Sequence, residues 1–232
     1  MKGTSDLIQK AIARGQSALS EYDSKQFLSF LGIPICQETL VSDADSAASE
    51  AAKIGFPVVL KVCGSELAHK TEAGGVVLNL RGKGEVKKEG KRLLKIKGCE
   101  ALLVQEMVQG GRELVCGLTR DAQLGPCVMF GLGGVLTEVL EDVVFRVAPL
   151  TPGEATEMIH EIRSRKILER FRGEDAVDVE TLSRALVALG ETGLQYQEVA
   201  GIDINPLKIR QNGKPVSVDA LVVLKPAASI DS

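Results

Sequence analysis

Histidine is scarce in this sequence, with two in 232 residues. That excludes a zinc centre built from imidazoles and leaves oxygen donors for any metal, which points to magnesium. Cysteine offers no framework either. Cys36, Cys63, Cys99, Cys116 and Cys127 are odd in number and contain no C-x-x-C, so they read as buried reduced thiols rather than a disulfide or zinc scaffold. Long apolar runs are absent: Phe56 to Leu60 and Ala220 to Leu224 fall far short of the roughly 20 residues that span a bilayer. The first residues interrupt their apolar positions with Asp6, Lys10 and Arg14, unlike a secretory signal, so a cytoplasmic location is expected. Neither G-x-G-x-x-G nor G-x-x-x-x-G-K-[ST] occurs, so a nucleotide would have to be held without a Rossmann fingerprint or a P-loop.

What is present is an ordinary globular composition, 44% hydrophobic and 25% charged, long enough for one large domain or two lobes. The net charge of −3 is uneven, since residues 81–97 carry eight basic and two acidic side chains and the remainder −9. A basic helix raises nucleic-acid binding, but this one has no aromatic residue for stacking, and the acidic remainder would repel phosphate backbones. A solvated helix face is the expectation, with neither a nucleic-acid nor a membrane partner.

Helical periodicity alternates with short β-rich runs, the pattern of a mixed α+β architecture. Helices are expected at 5–16 and from Ser20, where Ser20-x-x-Asp23 resembles a capping box, ending at Gly32 and Pro34. A strand is expected at 35–41. Ser42 or Asp43 then caps an alanine-rich helix that ends at Gly55 and Pro57. Strands should follow at 58–62 and 76–80, then the basic helix, then a strand at 101–107. The second half reads as strands near 113–118 and 127–130, helices near 152–164 and 179–192, and a hairpin over 199–224. The expected division is an N-terminal helix at 1–19, one lobe at 20–105 and a second at 106–232.

Five stretches could carry chemistry. In FPVVLKV, Lys61 is either a solvated strand-end lysine or a cation set against phosphate. In LAHKTEAGG, His69 is followed by Lys70, whose charge should favour the neutral imidazole able to attack phosphorus, although a plain surface histidine fits the residues as well. At VQEMVQGGREL, a junction between lobes would leave backbone groups for an adenine edge near Glu106, Met107 and Val108, with Glu113 a candidate for ribose hydroxyls. Glu138, Asp142 and Arg146 are spaced four apart and read as helix-face pairs or a charged rim.

The fifth stretch, GIDINPLKIRQNGKPVSVDA, puts Asp203 and Asn205 on one strand face. A two-residue turn at Asn212-Gly213 would pair 205 with 220. A three-residue loop over 211–213 would instead set Asn205 opposite Asp219, a cluster suited to Mg²⁺ with phosphate oxygens.

Together FPVVLKV, HKTEAGGV, VQEMV with GRELVCGLTRD, GPCVMFGLGGVLTEVLEDVVFRVAPL and DINPL with its later VDA closely resemble the β subunits of ADP-forming acetyl-CoA synthetases, in the ATP-grasp superfamily. The likeness runs over roughly 20–224. It implies an ATP-grasp fold whose two lobes clamp ATP or ADP, and a ligase that interconverts acyl-CoA, ADP and phosphate with acid, CoA and ATP through phosphohistidine. It further implies Lys61 on nucleotide phosphates, Glu106, Met107, Val108 and Glu113 on the adenosine, Asn205 and Asp219 on Mg²⁺, Asp203 as a catalytic carboxylate, and His69 as a phosphoryl carrier. With no dinucleotide fingerprint of its own, the chain should work in a hetero-oligomer with a CoA-binding α subunit. A nucleotide-sensing subunit without phosphoryl transfer and a free-standing carboxylate ligase are the alternatives.

Overall fold

The structure is a computed structural model that describes residues 2–64, 74–134, 141–170 and 172–226. It divides into a smaller unit, residues 36–108, and a larger unit made of residues 1–35 and 109–232. No helix among the described residues is long and apolar enough to cross a membrane.

In the smaller unit, β1 (Glu38–Val41), β2 (Val58–Cys63), β3 (Val76–Leu80) and β4 (Ala101–Glu106) form an antiparallel sheet in the order β1-β4-β2-β3. Helices α3 (Ala44–Ile54) and α4 (Lys83–Leu93) pack with it. Of the two candidate caps, Asp43 is the one used: its carboxylate accepts from the amides of Asp45 and Ser46 at 2.9 and 2.8 Å. The alanine stripe then meets α4 closely, because a Cβ at Gly90 would lie 3.0 Å from that of Ala44. Ala47, Ala51, Val58, Leu60, Val62, Val86, Leu93, Leu102 and Val104 close the core.

The larger unit is built on a six-stranded antiparallel sheet. Its strands are β5 (Glu113–Asp121), β6 (Gly125–Leu132), β7 (Val143–Val147), β8 (Val199–Ile209), β9 (Pro215–Ser217) and β10 (Leu221–Leu224), ordered β10-β8-β5-β6-β7 with β9 beside β8. Alternation decides its two faces. Leu114, Cys116, Leu118, Val128, Phe130, Ile202, Ile204 and Val222 point into one core. Among the described residues, α1 (Lys2–Ala13), α2 (Glu21–Phe30), α5 (Pro152–Glu161) and α6 (Val179–Gln195) pack there. The opposite face carries exposed Phe145, Val147, Leu221 and Val223 with Asp203 and Asn205 between them.

Three sequence expectations change. Residues 20–35 belong with the larger unit, because α2 drives Phe27 and Leu28, both fully buried, into its core, and the chain crosses between units near 108 instead of 105. The strand foreseen from Ile35 starts at Glu38; Ile35 makes a single bridge to Ser217, and the amide of Ser217 donates to the carbonyl of Pro34 at 2.9 Å. Asp142 and Arg146 do not share a helix. Arg146 lies in β7 and pairs with Glu161, while Asp142 is buried and accepts from the amides of Arg163 and Ser164, both at 2.7 Å. Burial pulls the Asp142 carboxyl upward, but the Ser164 hydroxyl, those two amides and the Arg163 charge outweigh it and hold the group below its ordinary range. Glu138 lies outside the described residues.

Candidate functional site

Lys61 is not a solvated strand-end lysine. Strand β2 is flanked on both sides, Lys61 stands between Val76 of β3 and Leu103 of β4, and it is 6% exposed. A side chain so far from water, held between two strands, is fixed in place rather than waving in solvent. His69 lies outside the described residues. The chain returns from that stretch at Gly74, whose carbonyl accepts both terminal nitrogens of Arg92 at 3.3 Å, so the basic helix has at least one structural task.

The stretch from Glu106 to Val108 departs from expectation. The amide of Glu106 donates to the carbonyl of Gln37 at 2.9 Å and that of Met107 to Pro57 at 3.3 Å, so neither is spare for an adenine edge. The Glu106 carboxylate accepts from the amide of Gln37 at 2.7 Å, and Val108 is 5% exposed. A backbone contact to a nucleotide from here would use the Val108 amide or carbonyl oxygens, the amides of Glu106 and Met107 being taken.

Glu113 opens β5 directly opposite Lys208 of β8, and their charged groups meet at 3.1 Å. Lys208 also donates to the carbonyl of Gly110 at 3.4 Å. Gly134 holds φ +77°, and a Cβ there would sit 2.5 Å from a Glu113 carboxylate oxygen, so only glycine lets the turn close over this ion pair. Lys208 escaped the sequence reading. Its partner is 95 positions away, and its orientation depends on an irregularity between Leu114 and Cys116 that shifts the β5–β8 register.

The hairpin resolves the choice left open by the sequence. Arg210 donates to the carbonyl of Lys214 and Gly213 to that of Arg210, both at 2.9 Å, with Gly213 at φ +79°: the loop has three residues, 211–213. Pairing then runs Ile209 with Pro215, Lys208 with Val216 and Leu207 with Ser217, and resumes in the same register with Asp203 opposite Leu221 and Ile202 opposite Val222. Both ladders keep the register that counts Asn205 to Asp219, 218–220 lying in the gap between them, and Asp219 is near enough to Asp203 for its charge to act there. Partial withdrawal from water, and next the negative charge of Asp219, push the Asp203 carboxyl above its ordinary range. Behind it, burial and then Asp203 push the Cys116 thiol up to about 12, so Cys116 is no nucleophile.

Two mutually repelling carboxylates beside an amide oxygen form a site that a divalent cation would relieve. Among the described residues no group of three or more His, Cys, Asp or Glu side chains could hold a metal. The two-donor set Asn205 and Asp219 instead fits Mg²⁺, which keeps several waters and takes one or two protein oxygens together with phosphate.

Comparison with known proteins places the chain in a family. A family model described as an ATP-grasp domain matches residues 10–224. The β subunit of the ADP-forming acetate–CoA ligase I of Pyrococcus furiosus is 36% identical over 226 residues, covering 94% of this chain and 97% of that one. The ADP-forming acetate–CoA ligase I of Archaeoglobus fulgidus is 38% identical over 226 residues, which are 94% of this chain but 33% of that protein. Among solved structures, the dinucleotide forming acetyl-coenzyme A synthetase 1 of Ca. Korarchaeum cryptofilum, in complex with coenzyme A and Mg-AMPPCP and with its phosphohistidine segment pointing towards the nucleotide binding site, superposes with a TM-score of 0.84 at 41% identity, covering 96% of this chain and 100% of that one.

Proposed function

The chain belongs to the ATP-grasp family, among the β subunits of ADP-forming acetate–CoA ligases, and from that membership we propose how its residues divide the work. The reaction interconverts acyl-CoA, ADP and phosphate with acid, CoA and ATP, and the β subunit supplies the nucleotide half. The CoA half comes from an α subunit, whose counterpart is fused into the same polypeptide in the longer relative.

Lys61, fixed and nearly dry, neutralises phosphate charge. Glu113, held by Lys208, takes the ribose hydroxyls, and the 106–108 stretch meets the adenine through its carbonyls. Asn205 and Asp219 would hold Mg²⁺, which supplies charge neutralisation at the phosphate oxygens. Asp203, with its carboxyl raised, orients an imidazole proton next to the transferring phosphoryl group. In the transfer, a neutral histidine nitrogen attacks the γ-phosphorus, the N–P bond forms as the bond to ADP oxygen breaks, and the reverse step makes ATP. His69 or a histidine of the α subunit is the acceptor.

The observation that supports this reading is the hairpin register, shared by the ladders on both sides of the gap, which counts Asn205 to Asp219 on the strand face of Asp203. The test is acid-labile labelling from γ-³²P-labelled ATP with Mg²⁺, on the chain alone, with its α subunit, and in His69→Ala and Asp219→Asn variants. Label on this chain that vanishes in His69→Ala makes His69 a carrier. Label confined to the α subunit keeps the ligase and leaves His69 an electrostatic role. No label on either subunit, with ATP still bound, overturns the phosphoryl-transfer reading, and full labelling of Asp219→Asn at limiting Mg²⁺ overturns the metal assignment.

A further inference from the structure

The larger unit contains a lysine with no exposed surface, and its position bears on Asp219. Lys25 of α2 is 0% exposed and Glu21, one turn earlier, 1%; their charged atoms meet at 2.8 Å. A buried ion pair is a weak source of stability, since hydrophobic replacements of equal volume are often as stable. What this pair touches is therefore more informative than its mere presence. The Lys25 ammonium also donates to the carbonyl of Val218 at 3.4 Å, long for a hydrogen bond but charge-assisted. On the neighbouring position of the same helix, the hydroxyl of Ser24, fully buried, accepts from the amide of Val222 at 3.1 Å.

These two bonds bracket Asp219 at a break in the sheet. Paired residues stop at Leu207 with Ser217 and resume at Asp203 with Leu221, so 218–220 lie outside both ladders. The cause is on the facing strand: Pro206 has no amide to donate. Across the gap the amide of Val218 reaches the carbonyl of Pro206 at 3.4 Å, a long contact. The bonds from α2 reach the strand on both sides of this break, at Val218 and at Val222.

We propose that Glu21, Ser24 and Lys25 are positioning residues for the divalent cation: one turn of α2 holds both flanks of Asp219 and so sets how tightly Asn205 and Asp219 grip the ion. This rests on the assignment of those two residues as cation ligands. Supports of this kind around metal ligands govern affinity by ten- to a hundredfold on the order of magnitude.

The test uses the assembled enzyme and measures ADP-dependent Mn²⁺ binding by electron paramagnetic resonance of the free ion, with circular dichroism and thermal melting to report the fold. The variants are Glu21→Gln with Lys25→Met, which removes the ion pair as a unit and leaves no lone buried charge, Ser24→Ala, and Asp219→Asn as the benchmark. Expected is a rise in the Mn²⁺ dissociation constant of about tenfold for the double variant and about fivefold for Ser24→Ala, the loss of one hydrogen bond. ADP affinity measured in EDTA should not move. If Asp219→Asn binds Mn²⁺ as the wild type does, the ligand assignment itself fails. If Asp219→Asn weakens binding while the α2 variants bind normally, the ligand assignment stands and the positioning role is overturned. Should the double variant fail to fold, Ser24→Ala decides on the same terms.

Discussion

Replacing Gly213 by alanine tests the hairpin that brings Asn205 and Asp219 together, and Gly15→Ala is its internal control. Both glycines sit at positive φ, +79° and +68°, and an L residue there costs about 1–2 kcal/mol. They differ in surroundings. A Cβ on Gly15 meets nothing within 4 Å, whereas one on Gly213 would lie 2.0 Å from the carbonyl oxygen of Ala176. Backbone there cannot swing aside cheaply: the amide of Asp175 donates to Gln211 at 2.8 Å and that of Asp178 to Gly213 at 2.9 Å, and Asp178 in turn caps α6 through the amide of Thr181. Overpacking of this kind adds about 1–3 kcal/mol. Gly213→Ala should therefore lose about 2–5 kcal/mol against about 1–2 for Gly15→Ala, and melt lower by several degrees more.

The same arithmetic says the register will hold. Sliding β9 and β10 by one residue would break the bonds from Ser217 to Pro34, Leu19 to Val222 and Val222 to Ser24, about 1 kcal/mol each. It would also turn the Asp219 charge toward the core, at several kcal/mol. Strain is the smaller term, so Gly213→Ala should bind Mn²⁺ within about twofold of wild type while melting early. Equal melting of the two variants would refute the steric argument, and loss of Mn²⁺ binding in a folded Gly213→Ala protein would refute the account of what sets the register.

Lys208→Met should weaken ADP binding about fivefold by releasing Glu113, the worth of one charged pair at a half-exposed site, and leave Mn²⁺ affinity in the ADP complex unchanged; isothermal titration separates the two. Asp142→Asn should be less stable than wild type near neutral pH. A carboxyl held below its ordinary value of 3.8 gives stability that is present above that value and lost as pH falls through the lower folded value, so the gap between the two proteins should close in acid; denaturant melts across that range check the sign. With a thiol reagent under native conditions, half-buried Cys99 should react well before Cys116, whose thiol is pushed up to about 12; equal rates in a folded protein would contradict the burial of Cys116.

Local chemistry in the chain foretold local structure. Asp43 before an alanine stripe, and Ser20 with Asp23 three residues on, start their helices where the residues demand. Interior strand β2 is legible as an unbroken apolar run. Long-range choices were not legible. An Asn-Gly pair is compatible with two hairpin loops, and the three-residue form wins because the carbonyls of Gln211 and Gly213 are both used by the 175–178 segment. Whether α2 joins the smaller or larger unit depends on where Phe27 and Leu28 find a core, which no periodicity in α2 reveals. Lysine is so seldom fully buried that nothing in the sequence singles out Lys25, and the claim of Gln37 on one Glu106 oxygen is a contact across 69 positions that no local pattern shows.

The positions of the misread residues share a cause. A cation site for phosphate needs carboxylates that stay wet enough to remain charged and yet are held as firmly as core residues. The larger unit meets both demands by splitting them between the two faces of one sheet. Asp203, Asn205 and Asp219 stand on the exposed face, where the two carboxylates are tolerated, and the bonds from Lys25 to Val218 and from Val222 to Ser24 reach the Asp219 segment from residues buried on the other side. The polar groups of α2 thus look out of place only when the helix is read alone. Seen across the sheet, a fully buried Glu21–Lys25 pair and a fully buried Ser24 bond the strand on both sides of the broken ladder at Pro206. Substituting Pro206 by alanine, which returns an amide to the ladder, should accordingly reduce the penalty of Ser24→Ala, a coupling that a double-mutant cycle on Mn²⁺ affinity measures directly.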